Sequence, residues 1–202
     1  MTLYLTSFLT KTFDRLLPLL EEAVPGKSIC YVPTAADVER NKGYILETVA
    51  ELIRHGFDLQ ILDIVQMDQL EIEQALTNCN CLMVSGGNTF YLLQELQRKK
   101  LLPLIRTKVQ TGMIYVGESA GSILAAPDIF YSCAMDQPER APQLHGTTAL
   151  GLINFYPVPH VGEEYFASAA EQICCEYKDT VELVCINNYQ FIVVNETGYR
   201  VL

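Results

Sequence analysis

The stretch MIYVGESAGS (residues 113–122) gives the clearest indication of the fold. Its first four residues are apolar and predict a strand that is covered on both faces, as strands of parallel sheets are. The residues after the second glycine predict a short helix (122–126), which Pro127 ends. A strand that turns into a helix within a few residues is the repeating unit of a parallel α/β sheet.

The same alternation of short apolar strands and amphipathic helices runs through the chain, with apolar residues at helical spacing between the strands. Since alternating strands and helices form a mostly parallel sheet with helices on both faces, we predict one α/β domain over residues 1–202. The predicted strands are residues 2–5, 28–32, 59–64, 81–84, 113–116, 155–158, 181–186, 190–194 and 199–202. The predicted helices are residues 12–23, 41–55, 68–77, 89–99, 104–110, 122–126 and 163–177.

Composition excludes several classes of function. With 24 acidic and 14 basic residues the net charge is −10, which disfavours binding to nucleic acid or to anionic membrane surfaces. No apolar stretch approaches the roughly 20 residues of a membrane span, and the N-terminus lacks the features of a signal peptide. Seven cysteines, an odd number without CxxC spacing, predict free thiols rather than a disulfide framework or a zinc site. We therefore expect a cytoplasmic protein without metal or cofactor.

The pattern Gly117-x-Ser119-x-Gly121 lies where the strand turns into the helix, which is the context of a nucleophilic serine. Such a turn is strained, and side chains two residues to either side of the serine would collide with their surroundings. The turn presents the Ser119 hydroxyl at the start of a helix, where the Ala120 amide and the helix dipole stabilise negative charge. We predict Ser119 as the nucleophile and Ala120 as one donor of an oxyanion hole.

A second oxyanion donor is expected from the segment Ser85-Gly86-Gly87-Asn88, which also follows a strand and opens a helix. Loops of this kind gather at the carboxyl edge of a parallel sheet. Glycines let backbone amides approach a substrate closely. The Gly87 amide is therefore the predicted second donor, and Gly86 and Asn88 are predicted to contact the substrate.

A serine nucleophile needs a general base, and the chain has three histidines. His55 ends a predicted helix, where an imidazole complements the dipole at the surface. His145 lies in an irregular stretch, residues 127–148, whose length is typical of functional loops. His160 follows a predicted strand and should emerge at its carboxyl end. We therefore predict His160 as the base, with His145 as the alternative.

The imidazole in turn needs a group that orients it and stabilises its cation. Three acidic residues lie between the serine and the histidine: Asp128, Asp136 and Glu139. Asp136 lies deepest in the irregular loop, from which it can fold back toward His160. We predict Asp136 as the third member and keep Asp128 and Glu139 as alternatives.

Three motifs in this order resemble the dipeptidase E-like serine peptidases, a family that includes the cyanophycinases. They are SGGNTFYLL (85–93), YVGESAGS (115–122) and GLINFYPVPH (151–160). The resemblance implies a three-layer αβα sandwich similar to class I glutamine amidotransferases. It also implies Ser119 as nucleophile, His160 as base, and the Gly87 and Ala120 amides as oxyanion donors. Asp136 falls near the family's acid, although the surrounding loop does not match residue by residue.

The chain departs from the aspartyl dipeptidases in its charges. A substrate carboxylate needs a cationic partner, but Lys178 is the only Lys or Arg between Arg140 and Arg200. Glu118, directly before the nucleophile, is predicted to contact the substrate, where it suits a peptide amino terminus or a basic side chain. The alternative is a cap on neighbouring backbone.

We therefore expect a serine-type peptidase for small peptides that is not aspartate-specific, with the loop 127–148 shaping its pocket. The alternatives are an α/β-hydrolase-like esterase and a non-catalytic protein that binds a peptide or metabolite. The apolar C-terminal strands are candidates for a contact between copies of the chain.

Overall fold

A computed structural model describes all residues from 1 to 202 and contains nine strands and seven helices. The strands are β1 (Leu3–Thr6), β2 (Ser28–Val32), β3 (Asp58–Ile61), β4 (Cys81–Val84), β5 (Ile114–Glu118), β6 (Tyr156–Val158), β7 (Leu183–Cys185), β8 (Phe191–Asn195) and β9 (Gly198–Val201). The helices are α1 (Leu9–Ala23), α2 (Gly43–Arg54), α3 (Gln69–Asn78), α4 (Thr89–Arg98), α5 (Leu102–Gln110), α6 (Ala120–Leu124) and α7 (Ala167–Tyr177).

The central sheet has seven strands in the order β3-β2-β4-β5-β1-β8-β9. The first five of these strands are parallel to one another. At one edge of the sheet, β8 runs antiparallel to β1, and β9 runs antiparallel to β8. The β5 strand lies between β4 and β1, so the turn after it is near the middle of the sheet. This confirms the predicted α/β fold with a mostly parallel sheet.

Side chains that alternate along the central strands divide the core into two apolar clusters. On β1, Leu3 and Leu5 belong to the larger cluster and Tyr4 to the smaller one. The larger cluster also takes in buried residues of α3 to α7, while the smaller one takes in those of α1 and α2. Because successive residues of a strand point to opposite faces, the two clusters are the two sides of the sheet. The molecule therefore has three layers, helices–sheet–helices.

The end of the chain differs from a simple continuation of the alternating pattern. The strands β6 and β7 pair in parallel with each other as a separate two-stranded sheet, with Tyr156 opposite Leu183. The helix α7 begins at Ala167, four residues after its predicted start. The residues before it, 163–166, form a turn that is closed by a hydrogen bond from the Phe166 amide to the Glu163 carbonyl at 2.9 Å.

All seven cysteines are free. Cys30 is buried in β2, whereas Cys185 is exposed at the end of β7. The Cys185 sulfur lies 3.3 Å from that of Cys174 on α7.

None of the helices is long and apolar enough to cross a lipid bilayer.

Candidate active site

Ser119 lies at the turn between β5 and α6 with φ 47° and ψ −103°. This is the left-handed side of the backbone map, which is costly for a residue with a side chain. The turn is held by hydrogen bonds from the Ser119 amide to the Thr6 carbonyl (2.9 Å) and from the Ile123 amide to the Ser119 carbonyl (2.9 Å). The surrounding structure thus fixes the strained conformation that lifts the hydroxyl away from the sheet.

Both glycines of the serine motif lie where no side chain fits. A Cβ added to Gly121 would lie 2.3 Å from the Val84 carbonyl oxygen, and one added to Gly117 would lie 2.5 Å from the Gly121 carbonyl carbon. Real Cβ atoms do not approach backbone so closely, so a substitution at either position would force α6 away from the sheet. The glycines therefore serve the close approach of α6 to the sheet, in agreement with the reasoning from sequence.

His160 lies beside the serine, with its Nε2 atom 2.9 Å from Ser119 Oγ. The residue follows β6, adopts a left-handed φ of 61°, and donates its amide to Ser7 Oγ at 3.1 Å. Its side chain is largely buried, and burial lowers the pKa of the imidazole, while the Asn188 hydrogen bond and Glu163 partly oppose this. A lowered pKa keeps the ring neutral near pH 7, which is the form that accepts a proton.

The side chain that orients His160 is Asn188, whose Oδ1 atom lies 2.6 Å from His160 Nδ1. An amide oxygen can only accept, so Nδ1 carries the proton and Nε2 is left to accept the Ser119 hydroxyl proton. Asn188 lies in the turn between β7 and β8, next to Tyr189, whose carbonyl accepts a hydrogen bond from Arg15. Asn188 was not among the residues predicted from the sequence, since an Asn-Asn pair between two strands is typical of a turn.

Asp136 does not contact His160, which corrects its predicted position in the triad. Its carboxylate accepts hydrogen bonds from the amide and the hydroxyl of Thr89, the first residue of α4. A carboxylate at a helix N-terminus is stabilised by the free amides and by the dipole. Burial nevertheless raises the pKa of Asp136 to about 6. The residue thus anchors the irregular loop to the start of α4.

The two alternative acids also lie away from the imidazole. Asp128 accepts a hydrogen bond from the Phe130 amide, and its backbone forms an isolated bridge with Thr148. Glu139 is exposed in a short 3-10 turn, Pro138–Arg140. Neither has His160 as a hydrogen-bond partner. The irregular loop therefore supplies no carboxylate to the imidazole.

The predicted oxyanion donors lie on loops that meet at the nucleophile. A Cβ added to Gly86 would be 3.3 Å from Ser119 Cβ, so this loop lies directly against the serine. Gly87 has φ 131°, and a Cβ there would be 2.2 Å from the Ala35 carbonyl oxygen. The Gly87 amide donates to no acceptor of the chain. The Ala120 amide is at the first position of α6, where helix amides have no partner within the helix.

The Glu118 side chain lies in the interior, which corrects its predicted role as a substrate contact and agrees with the alternative role, a cap on neighbouring backbone. Its side chain is fully buried and accepts hydrogen bonds from the Leu9 amide (2.8 Å) and the Gly86 amide (3.4 Å). Burial raises the pKa of this carboxyl to about 7, although both amides oppose the shift. Glu118 thus holds the glycine loop beside the nucleophile.

Asn88 likewise has a structural position rather than the predicted substrate contact. Its side-chain oxygen caps α4 by accepting from the Tyr91 amide at 2.9 Å. Its side-chain nitrogen donates to the Gln137 carbonyl at 3.0 Å. Together with Asp136 and Thr89, these bonds fasten the irregular loop to the glycine loop. Of the three predicted substrate contacts, only the Gly86 backbone lies against the serine.

The other two histidines lie away from the serine. His145 is exposed, and its amide donates to Gln97 Oε1 on α4 at 3.1 Å. His55 follows α2, packs on the Phe13 ring with 5.5 Å between ring centroids, and lies 3.9 Å from a Glu51 oxygen. The structure thus places His160, and neither alternative, beside Ser119.

Substitution of Glu118 by glutamine is expected to flatten the pH dependence of stability. Because the folded pKa of about 7 exceeds the ordinary 4.5, the native state binds the proton more firmly than the unfolded state does. This group therefore lowers the free energy of unfolding as the pH rises from about 4.5 to 7, by about 3 kcal/mol in total. Urea unfolding of the parent and Glu118→Gln between pH 4.5 and 8 measures the difference. Glu196→Gln, at a solvent-exposed carboxylate, is the control, and parallel curves for parent and Glu118→Gln would contradict the argument.

A serine on a strained strand-to-helix turn, with an imidazole on its hydroxyl and two free amides nearby, is the arrangement that serine hydrolases use. The chain belongs to peptidase family S51, whose sequence pattern matches residues 3–202.

Known proteins similar to this chain carry peptidase names. "Uncharacterized peptidase PM1590" of Pasteurella multocida is 39% identical over 193 residues, which are 96% of this chain and 93% of that protein. Peptidase E of Shewanella amazonensis is 36% identical over 155 residues, covering 77% of this chain and 61% of that protein. The chain therefore spans less than two thirds of peptidase E.

Two solved structures share the fold. A crystal structure from Listeria monocytogenes EGD-e, described as that of a peptidase E protein, matches with a TM-score of 0.91 and 31% identity over all of this chain and 97% of the other. A peptidase from an acI-B1 Actinobacterium matches with a TM-score of 0.74 at 19% identity, over all of this chain and 86% of the other, which shows the fold alone.

Proposed function

We propose that the protein is a serine peptidase that hydrolyses small peptides through an acyl-enzyme and is not specific for aspartate. The observation that carries this proposal is the 2.9 Å contact between Ser119 Oγ and His160 Nε2 at a strained turn. Membership of a peptidase family supports the choice of peptides over other acyl compounds. The proposed constellation is Ser119, His160 and Asn188, with the Gly87 and Ala120 amides as oxyanion donors.

In the proposed reaction, Ser119 Oγ attacks the scissile carbonyl while His160 Nε2 takes the hydroxyl proton. The carbonyl oxygen becomes an oxyanion held by the Gly87 and Ala120 amides, and each such donor contributes about 10²–10³-fold to kcat in comparable enzymes. The protonated imidazole then gives its proton to the leaving amine, and the C–N bond breaks. Water repeats the sequence on the acyl-enzyme and restores Ser119.

The side-chain amide of Asn188 determines the tautomer of the His160 imidazole and whether its cation is stabilised. A carboxylate in this position would fix the same tautomer and would also stabilise the imidazolium cation. Asn188 fixes the tautomer but brings no negative charge. Burial therefore keeps the pKa of His160 below its ordinary value, and the base is neutral at a lower pH than it would be beside a carboxylate.

Substitution of Asn188 by aspartate is expected to shift the acid limb of the kcat/KM profile to higher pH by about one unit or more. An opposite charge at hydrogen-bond distance raises the pKa of an imidazole by that amount. Peptide hydrolysis measured from pH 5 to 9 gives the apparent pKa. Asn187→Asp is the matched control, since its side chain accepts from the Tyr189 amide and not from His160. An unchanged profile for Asn188→Asp, or an equal shift in both variants, would contradict the assignment.

The backbone contacts of two arginines support a specificity other than aspartate. Arg106 is engaged by the carbonyls of Leu150 and Ala149, and Arg15 by that of Tyr189, so both guanidinium groups have backbone partners. Peptides that differ only in the residue on the acyl side test this point. We expect neutral residues to be cleaved at least as fast as aspartate; a strong preference for aspartate would refute this part of the proposal.

A further inference from the structure

Two aromatic side chains stand beside the imidazole and take no part in the steps described above. The Phe166 ring stacks on the His160 ring with 4.5 Å between centroids and 18° between planes. Tyr165 meets Phe166 edge-on at 4.9 Å. Tyr165 is 90% exposed, more than any other large apolar side chain of the molecule. An exposed aromatic ring that packs on the ring stacked against the imidazole offers an apolar contact surface to a ligand.

The backbone holds this aromatic pair in a fixed relation to the imidazole. The Glu163 amide donates to the His160 carbonyl at 3.1 Å, and the Phe166 amide donates to the Glu163 carbonyl at 2.9 Å. The Ala170 amide in turn donates to the Phe166 carbonyl at 2.9 Å, which joins the segment to α7. The two rings are therefore part of a hydrogen-bonded turn between His160 and a helix.

The chemistry of the proposed reaction decides which part of a substrate meets these rings. His160 Nε2 must reach the leaving amine to protonate it, whereas the oxyanion lies on the Gly87 and Ala120 amides. The residue that carries the leaving amine is therefore the part of the substrate nearest to the imidazole and to the ring stacked on it. Building on the proposed function, we propose that Tyr165 and Phe166 form the subsite for an apolar or aromatic side chain on the leaving residue.

The charges on the same turn refine the substrate class. Glu163 and Glu164 flank the aromatic pair, and the nearest cation along the chain is Lys178 beyond the far end of α7. A free carboxylate on the leaving residue would be repelled by these two acidic side chains. The favoured substrates are therefore peptides in which the leaving residue is followed by further residues or by an amide.

The test uses peptide amides that share one acyl-side residue and vary the leaving residue among Gly, Leu, Phe, Arg and Asp. We expect kcat/KM for Leu and Phe to exceed that for Gly by about tenfold or more, as apolar subsites discriminate by that factor. In Tyr165→Ala this advantage should shrink to about threefold or less. Tyr165→Phe should retain the parent's preference. Tyr199→Ala, at a 42% exposed tyrosine on β9, should retain it as well.

Three results would overturn the subsite: equal rates for Gly and Phe in the parent, a preference for Arg over Phe, or an equal loss for every peptide in Tyr165→Ala. The rate at which a fluorophosphonate labels Ser119 separates this failure from failure of the proposed function. A parent that is labelled and cleaves peptides without the preference refutes the subsite alone. A parent that is neither labelled nor active refutes both.

Discussion

Ser119→Ala is expected to lower kcat for peptide hydrolysis by about 10⁴-fold or more, as loss of the nucleophile does in serine proteases. The substitution removes Ser119 Oγ, the atom of the strained turn that forms the proposed acyl-enzyme. Alanine fits the same backbone, and the bonds that hold the turn come from the main chain. Steady-state kinetics with the parent's best peptide, together with urea unfolding, measures the effect on activity apart from stability.

Ser168→Ala is the control for this substitution, because Ser168 is an exposed serine of α7. It should keep the activity of the parent. If Ser119→Ala cleaved peptides as fast as the parent, the nucleophile would have to be another residue and the proposed reaction would be wrong.

His160→Gln is expected to lower kcat by a comparable factor of about 10⁴ or more, since base and nucleophile act as one unit. Glutamine has a similar reach but cannot take up and return the proton. The double variant Ser119→Ala, His160→Gln should be no slower than either single variant, because effects within one catalytic unit do not add. The measurement is kcat for the same peptide at pH 8, where the imidazole of the parent is neutral.

His145→Gln provides the matched control for the base. His145 is exposed and forms its described hydrogen bond through its backbone amide, which glutamine retains. The variant should cleave peptides at the parent's rate. A large loss in His145→Gln with little loss in His160→Gln would reverse the assignment of the base.

The sequence predicted the central part of the fold because the signals there are local. Apolar runs such as Cys81–Val84 are short, bounded by turns, and buried on both faces, so their pattern is independent of distant residues. The pattern Gly117-x-Ser119-x-Gly121 follows from local sterics, because a side chain at either glycine would collide with nearby backbone. The pairing of β6 with β7 depends on which neighbours are free in the folded chain, and no local pattern states that.

The predicted site agrees with the structure where a residue's role follows from the local sequence. It differs where the role depends on contacts between distant segments of the chain. The expectation for Asp136 came from its chain position between the serine and the histidine, but a buried carboxylate can equally serve a helix N-terminus, as it does at Thr89. Asn188 lies 28 residues after His160 and reaches it only because β7 pairs with β6. Glu118 precedes the nucleophile, yet strand alternation turns it inward to the backbone of the glycine loop.

Labelling with a fluorophosphonate, followed by peptide mass spectrometry, tests the central claim most directly. The account predicts one adduct on Ser119 in the parent, labelling at least 100-fold slower in His160→Gln, and no adduct at this position in Ser119→Ala. A parent that remains unlabelled, or an adduct on a different residue that persists in Ser119→Ala, would contradict it.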